Sequence, residues 1–324
     1  MSGPGPGGGD RGRRRRTRVR GSVVPEAEFR SYYGRPILKE PVWTWEVPWY
    51  FFAGGLAGAS APLGLGARLA GNHRLARSAW TVAGAGVTAG VALLVSDLGR
   101  PERFHHMLRM FKVTSPLSVG SWILAAMGPA AAGAAVSDRL GIFPRLGRAA
   151  EAVAGLLGPA LATYTGTLVA DTAVPVWHEA GRELPFVFAG SAAASAGAAA
   201  ALLTPAADAG PARRLVVTGA LLELGAAQAM ERRLGELGEP YHQGPAGRLA
   251  RLAKACTAAG AGLVALGGRR RAAVAAGAAL VLAGSACERW AVYKAGFQSA
   301  RDPRYVVEPQ RARLARRRLE RLAD

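Results

Sequence analysis

The chain has 324 residues and a formal net charge of +19, from 41 Lys and Arg against 22 Asp and Glu. Half of the residues are hydrophobic, only 19% are charged, and two are cysteines. Soluble domains carry nearer a quarter charged residues, and two cysteines exclude both a disulfide framework and a four-cysteine zinc site.

A positive charge of this size ordinarily suggests nucleic acid as partner. Here it is bunched at the ends, with seven Arg in residues 11–20 and six in residues 311–321. Basic ends around an apolar middle point to membrane topology instead, with no nucleic acid. Residues 1–40 read as a basic N-terminal tail, and the first 21, mostly Gly, Pro and Arg, have too little to bury to fold. No apolar segment follows the twin arginines there, which argues against an export signal. Five uncharged stretches come next, at residues 47–67, 78–96, 113–137, 152–170 and 184–207. Each is near the length of about 20 apolar residues that a helix needs to cross a bilayer. Trp43, Trp45, Trp49 and Tyr50 precede or open the first, where an aromatic belt at the headgroups accounts for them. Gly54, Gly58, Gly86, Gly90, Gly158 and Gly166 fall inside the stretches, as small residues do where membrane helices pack closely. Three later stretches, 215–230, 255–268 and 272–287, are weaker: Glu223 interrupts one, and Arg251, Lys254 and Arg289 are expected to snorkel at the ends of the others.

The fold class is therefore all-α, a polytopic membrane protein of about eight transmembrane helices over residues 41–290, followed by a basic tail over 291–324. An even number of spans places both termini on one side. The positive-inside rule makes that side the cytoplasm, the tails rather than the loops deciding it.

All five histidines fall in connections between spans. Haem b needs histidines facing one another inside the bilayer, so no haem is expected. Cys256 and Cys287 read as small packing residues. No cysteine cluster, Walker loop or dinucleotide fingerprint is present, so no metal, iron–sulfur or nucleotide site of the chain's own is expected.

Polar chemistry concentrates in two connections. The first holds Asp97, Arg100, Glu102, Arg103, His105 and His106 where the second span ends. It reads as an interfacial turn closed by Asp97–Arg100 and by Glu102 with Arg103 or Arg109, or as a proton-exchanging rim; the two are compatible. The second holds Tyr164, Asp171 and His178 around the end of the fourth span, on the same face. Tyr164 lies six residues before Ala170, about 9 Å deep at the rise of a helix. Its hydroxyl has two candidate partners, a quinone carbonyl or a backbone carbonyl. Glu223, a carboxylate in mid-span, reads as a proton relay or as the partner of an arginine.

Four segments carry a resemblance: PVWTWEVPWYFFAGGLAG (41–58), DLGRPERFHHMLRMFKVTSPLSVGSWIL (97–124), YTGTLVADTAVPVW (164–177) and RWAVYKAGFQSARDP (289–303). Together they resemble the integral membrane subunits of the NrfD/polysulfide reductase family, the second most specifically. The resemblance implies two four-helix bundles in a bacterial cytoplasmic membrane, without haem, interacting with menaquinone or another exchangeable quinone in the first bundle. It implies a ferredoxin-like iron–sulfur subunit docked on the chain and a molybdopterin-type catalytic subunit beyond it. The implied quinone-binding or proton-exchange residues are Asp97, Arg100, Tyr164 and Asp171, to which Glu223 is added from its depth in the span. Glu102 and Arg103 are docking candidates. His105 and His106 depart from the family pattern and inherit no role. Two other readings stay open: a passive membrane anchor that binds no quinone, and a transporter using Glu223 as its coupling carboxylate.

Overall fold

The computed structural model describes residues 37–268 and 270–323. Most of the expected N-terminal tail, residues 1–36, lies outside the described residues. Eight long helices follow one another: α1 (Glu46–Leu69), α2 (His73–Ser96), α3 (Pro116–Leu140), α4 (Pro144–Ala170), α6 (Leu184–Leu203), α7 (Gly210–Leu234), α8 (Gly244–Leu266) and α9 (Arg271–Arg301). The short α5 (Pro175–Glu179) separates the two sets of four, and α10 (Arg304–Ala323) follows α9. Short 3-10 segments lie at Pro101–Leu108, Ala180–Arg182 and Gly235–Tyr241, and no strand occurs among the described residues.

Local chemistry sets the helix ends. The Asn72 side chain accepts from the Leu75 N–H at 3.1 Å to open α2. Ser115, followed by Pro116, opens α3, and Gly141 closes it at φ 68°. Helices α1–α4 pack around one another, as do α6–α9, and α1 joins the halves by also lying against α6 and α9.

Six of the eight long helices, α2, α3, α4, α6, α8 and α9, are long and apolar enough to cross a membrane. The sequence reading counted eight. Helix α1 falls short because Trp, Tyr, Pro, Ser and many Gly dilute its apolar residues, and α7 because it carries Arg213, Arg214 and Glu223. Both are packed between neighbours, α1 with Tyr50, Phe51, Ala57 and Ala61 buried. Such a helix needs close packing more than a uniformly apolar surface.

Glycine provides the closest approach between α1 and α4. A Cβ on Gly58 would stand 2.6 Å from the Ala162 backbone nitrogen and 2.7 Å from the Gly158 carbonyl oxygen. Neither backbone atom can rotate away. Gly58→Val is expected to force the helices apart and lower stability by about 2 kcal/mol, read as a lower unfolding midpoint in detergent. Gly66→Ala on the same helix is the control, since nothing lies within 4 Å of its Cβ position.

Helix α9 runs through Arg301, with Tyr293, Gly296, Ser299 and Ala300 buried. Residues 291–301, read from sequence as the start of a tail, are thus part of a packed helix. Trp177 of α5 donates its indole N–H to the Val292 carbonyl at 2.7 Å, and Arg301 pairs with Glu40 at 2.9 Å. Helix α10 is held at its start by Glu239, which accepts from the Tyr305 hydroxyl at 2.9 Å and pairs with Arg304 at 2.7 Å.

Candidate functional site

Two polar clusters lie inside the protein, one in each set of four helices. The first is built on α1 and α4. Tyr50 stands four residues after Glu46, the first residue of α1, and is buried at 4% exposure. Tyr164 lies against Gly120 of α3, where any side chain would collide with the tyrosine ring. The two phenolic hydroxyls are in direct hydrogen-bonding contact. Among the described residues Tyr164 thus meets a second phenol rather than a backbone carbonyl.

Tyr50 is accordingly not part of an aromatic belt, as the sequence reading had it, and neither is Trp43. The Trp43 ring stacks on Trp177 at 5.3 Å between centroids. Trp45 and Trp49 are exposed, as belt residues are. The signal that could have identified Tyr50 is helical spacing: Val47, Tyr50, Phe51 and Gly54 form one buried stripe.

At the rim, Asp97 caps the end of α2 and accepts from the Thr44 hydroxyl at 2.6 Å. Thr44 also contacts Glu46. The start of α1 and the end of α2 therefore meet in a cluster holding two carboxylates. The expected Asp97–Arg100 and Glu102–Arg103 or Glu102–Arg109 pairs do not occur among the described residues. Arg100 has extended backbone, φ −137° and ψ 85°, so the helical spacing that would have brought it back over Asp97 is broken. Arg100, just before the Pro101–Leu108 segment, and Glu102, Arg103, His105 and His106 within it are all exposed, as are Asp171 at the end of α4 and His178 on α5.

The second cluster joins α7 and α9. Glu223 is buried, and so are Glu288 and Arg289, the last at 1% exposure. Arg289 was expected to snorkel at the end of a span. It lies well inside α9 instead, because that helix continues for three turns past it. Its Nη2 donates to the Phe188 carbonyl at 2.9 Å, and its guanidinium lies 3.8 Å over the Phe188 ring. Gly55 of α1 leaves it room: a Cβ there would be 3.3 Å from Nη2. Glu223 and Glu288 are both within electrostatic reach of the guanidinium. Even so, Arg289 Nε and Nη1 and Glu223 Oε2 have no hydrogen-bond partner among the described residues. Beside them the Ser191 and Ser285 hydroxyls meet at 2.8 Å.

Toward the Gly235–Tyr241 segment the chain of polar groups continues. The Tyr241 hydroxyl is buried without a hydrogen-bond partner among the described residues. Burial, then the charges of Glu288 and Glu231, pushes it well above the usual phenol range. Glu231 itself pairs with Lys254 at 2.6 Å, so that lysine is held by a carboxylate as well as reaching outward. Glu223 does not join the tyrosine cluster; the two belong to different halves of the molecule.

At the opposite end of the first four helices, Arg68 binds Asp138 and also Glu151 at 2.8 Å, and Arg77 reaches Asp138 at 3.0 Å. These contacts fasten α1, α2, α3 and α4 at the end away from Asp97.

Residues 38–234 match the family model for polysulphide reductase, NrfD. The chain belongs to the NrfD family. No curated protein matches it. NrfD proteins are membrane subunits of multi-subunit redox complexes, and the apolar helices make this one a multi-pass membrane protein. In this NrfD protein the matched segment contains the whole tyrosine cluster and Glu223, while Glu288 and Arg289 lie beyond it on α9.

Proposed function

We propose that this NrfD protein is the quinone-reactive subunit of its complex, exchanging electrons between the membrane quinone pool and an iron–sulfur partner subunit. The observation that carries this reading is the meeting of the Tyr50 and Tyr164 hydroxyls inside the first four helices. Reducing a quinone to a quinol takes two electrons and two protons, and the reverse releases them. A site for either direction needs donors for the carbonyl oxygens and a route for protons. Two phenols opened by an entering head group supply the donors. Asp97, tied through Thr44 to the start of the helix that bears Tyr50, supplies proton exchange at the rim.

In this reading α1 and α7 span the membrane together with the six more apolar helices, in a bacterial cytoplasmic membrane with both termini cytoplasmic. The exposed Arg100, Glu102 and Arg103 receive a ferredoxin-like iron–sulfur subunit, with Asp171 on the same face, and a molybdopterin-type catalytic subunit stands beyond it. Glu223, with Glu288 and Arg289, exchanges protons in the second half. The chain carries no haem, metal or iron–sulfur cluster of its own.

Purification of the native complex in mild detergent tests the proposal. Expected are co-purifying subunits with iron–sulfur absorbance, a quinone in the organic extract, and no haem bands. A stable lone protein without quinone would overturn it, and an intact complex without quinone would leave only a passive anchor.

A further inference from the structure

Arg214, in the first turns of α7, stands near the face away from Asp97 and lines two grooves. The first, of about 470 Å³, lies against α1, α4 and α6, at the seam between the two sets of four helices. Helices α6 and α7 run antiparallel, with Gly197 against Val216 and Gly190 against Glu223. The groove reaches from Pro211 on α7 to Ala189 on α6, near the level of Glu223, which is about 18 Å along the helix axis. Two hydroxyls on its wall are satisfied within their own helices. Thr163 donates to the Pro159 carbonyl at 2.9 Å and Thr218 to the Arg214 carbonyl at 3.1 Å. Apart from Arg214, no charged side chain lines this groove.

The second groove, of about 410 Å³, lies between the start of α7 and the end of α8. Val217, Val264 and Ala265 form its apolar wall, and Arg213 joins Arg214 beside them. Arg213 donates to the Gly268 carbonyl, which holds its guanidinium at the groove. Arg270 and Arg271 follow where α9 begins. No carboxylate lines either groove. None of these four arginines forms an ion pair among the described residues. Positive charge gathered beside apolar walls at a membrane surface attracts an anion that also carries apolar bulk.

We infer that α7 carries a binding site for one anionic phospholipid. Its phosphate sits on Arg213 and Arg214, one acyl chain fills the deep groove at the seam, and the other lies against Val217 and Val264. The inference does not depend on the quinone reading and uses only the placement of α7 in the membrane. Two apolar grooves that share one arginine match a molecule with two apolar chains and one phosphate between them. A guanidinium meets a phosphate through paired, charge-assisted hydrogen bonds. A quinone has no anionic group for the arginines, and an acidic protein segment has nothing to fill a groove at membrane depth. The chains gain packing and not transfer from water, because lipid is as apolar as the walls. Selection therefore comes from the head group. A lipid seated there also fills the seam between α1 and α4 on one side and α6 and α7 on the other.

Native mass spectrometry of the complex, exchanged into detergent with equal phosphatidylglycerol and phosphatidylcholine of the same chains, tests the site. The wild type is expected to retain phosphatidylglycerol in at least about a fivefold excess. Arg214→Gln is expected to lower that excess about fivefold, and Arg214→Lys to keep most of it, since the charge is what selects. Arg148→Gln is the control: it removes the same charge on the same face, from an exposed residue that lines neither groove. Ala193→Phe, which narrows the deep groove, should reduce retention of both lipids. Equal retention of the two lipids by the wild type overturns the assignment, as does an equal loss in Arg214→Gln and Arg148→Gln. Inorganic phosphate shares the head-group chemistry without the chains and should not displace the lipid. Displacement by phosphate, or full retention in Ala193→Phe, would show an anion site without seated chains and overturn the phospholipid.

Discussion

Tyr164→Phe and Tyr50→Phe are each expected to lower quinone-dependent turnover by about two to four orders of magnitude, with the catalytic subunit's activity toward an artificial dye retained. Each change removes one oxygen and leaves the ring, so packing against Gly120 and Gly90 survives. What is lost is a donor that strengthens as charge develops on the quinone oxygen. Because the hydroxyls bond one another, the remaining phenol in either variant loses its partner as well. The double variant should then cost little more than either single one, as expected for two groups acting as a unit. Turnover assays with both acceptors on matched preparations check this. Unchanged quinone turnover in both single variants, with the complex intact, would reduce the chain to an anchor.

Arg289→Ala is expected to damage the fold itself. Removing the guanidinium leaves Glu223 and Glu288 buried near one another without a counter-charge, at about 3–5 kcal/mol. The expected outcome is poor accumulation in the membrane and a lowered unfolding midpoint. Arg289→Lys should recover only part of the loss, since an ammonium cannot stack flat on Phe188 as the guanidinium does. Replacing the whole cluster, Glu223→Leu with Glu288→Leu and Arg289→Met, should restore stability, because well-packed apolar groups can replace a buried ionic cluster at little cost. The triple variant separates the two roles of the site. Stability regained with quinone-linked proton uptake lost supports proton exchange at Glu223, whereas full proton uptake removes Glu223 from the pathway. An undamaged Arg289→Ala variant would show that the arginine does not hold the carboxylates.

The long uncharged runs made α2, α3, α4 and α6 legible in the sequence, since the bilayer requirement and the composition coincide there. Helix α9 was legible only as a shorter span over 272–287, because the charges at Glu288 and Arg289 read as its boundary. The helix passes straight through them, and its packing against α6 and α8 accommodates the charge. The depth of Tyr164 followed from helix rise alone, but its partner did not. Tyr50 is 114 residues away, and only the packing of α1 on α4 brings them together. Asp97 was found as a rim residue with the wrong partner. Its spacing from Arg100 suggests a helical pair, but the backbone turns extended at Arg100, and Thr44 from a distant segment takes the carboxylate.

The family match ends at residue 234, yet Glu223 within it faces an arginine at position 289. A protein trimmed to the matched segment would keep the carboxylate and discard its counter-charge. It would also expose the sides of α6 and α7 that α9 and α8 cover. The boundary of the recognisable sequence is therefore not a boundary of the foldable unit. In any minimal version of this subunit, α8 and α9 must be retained.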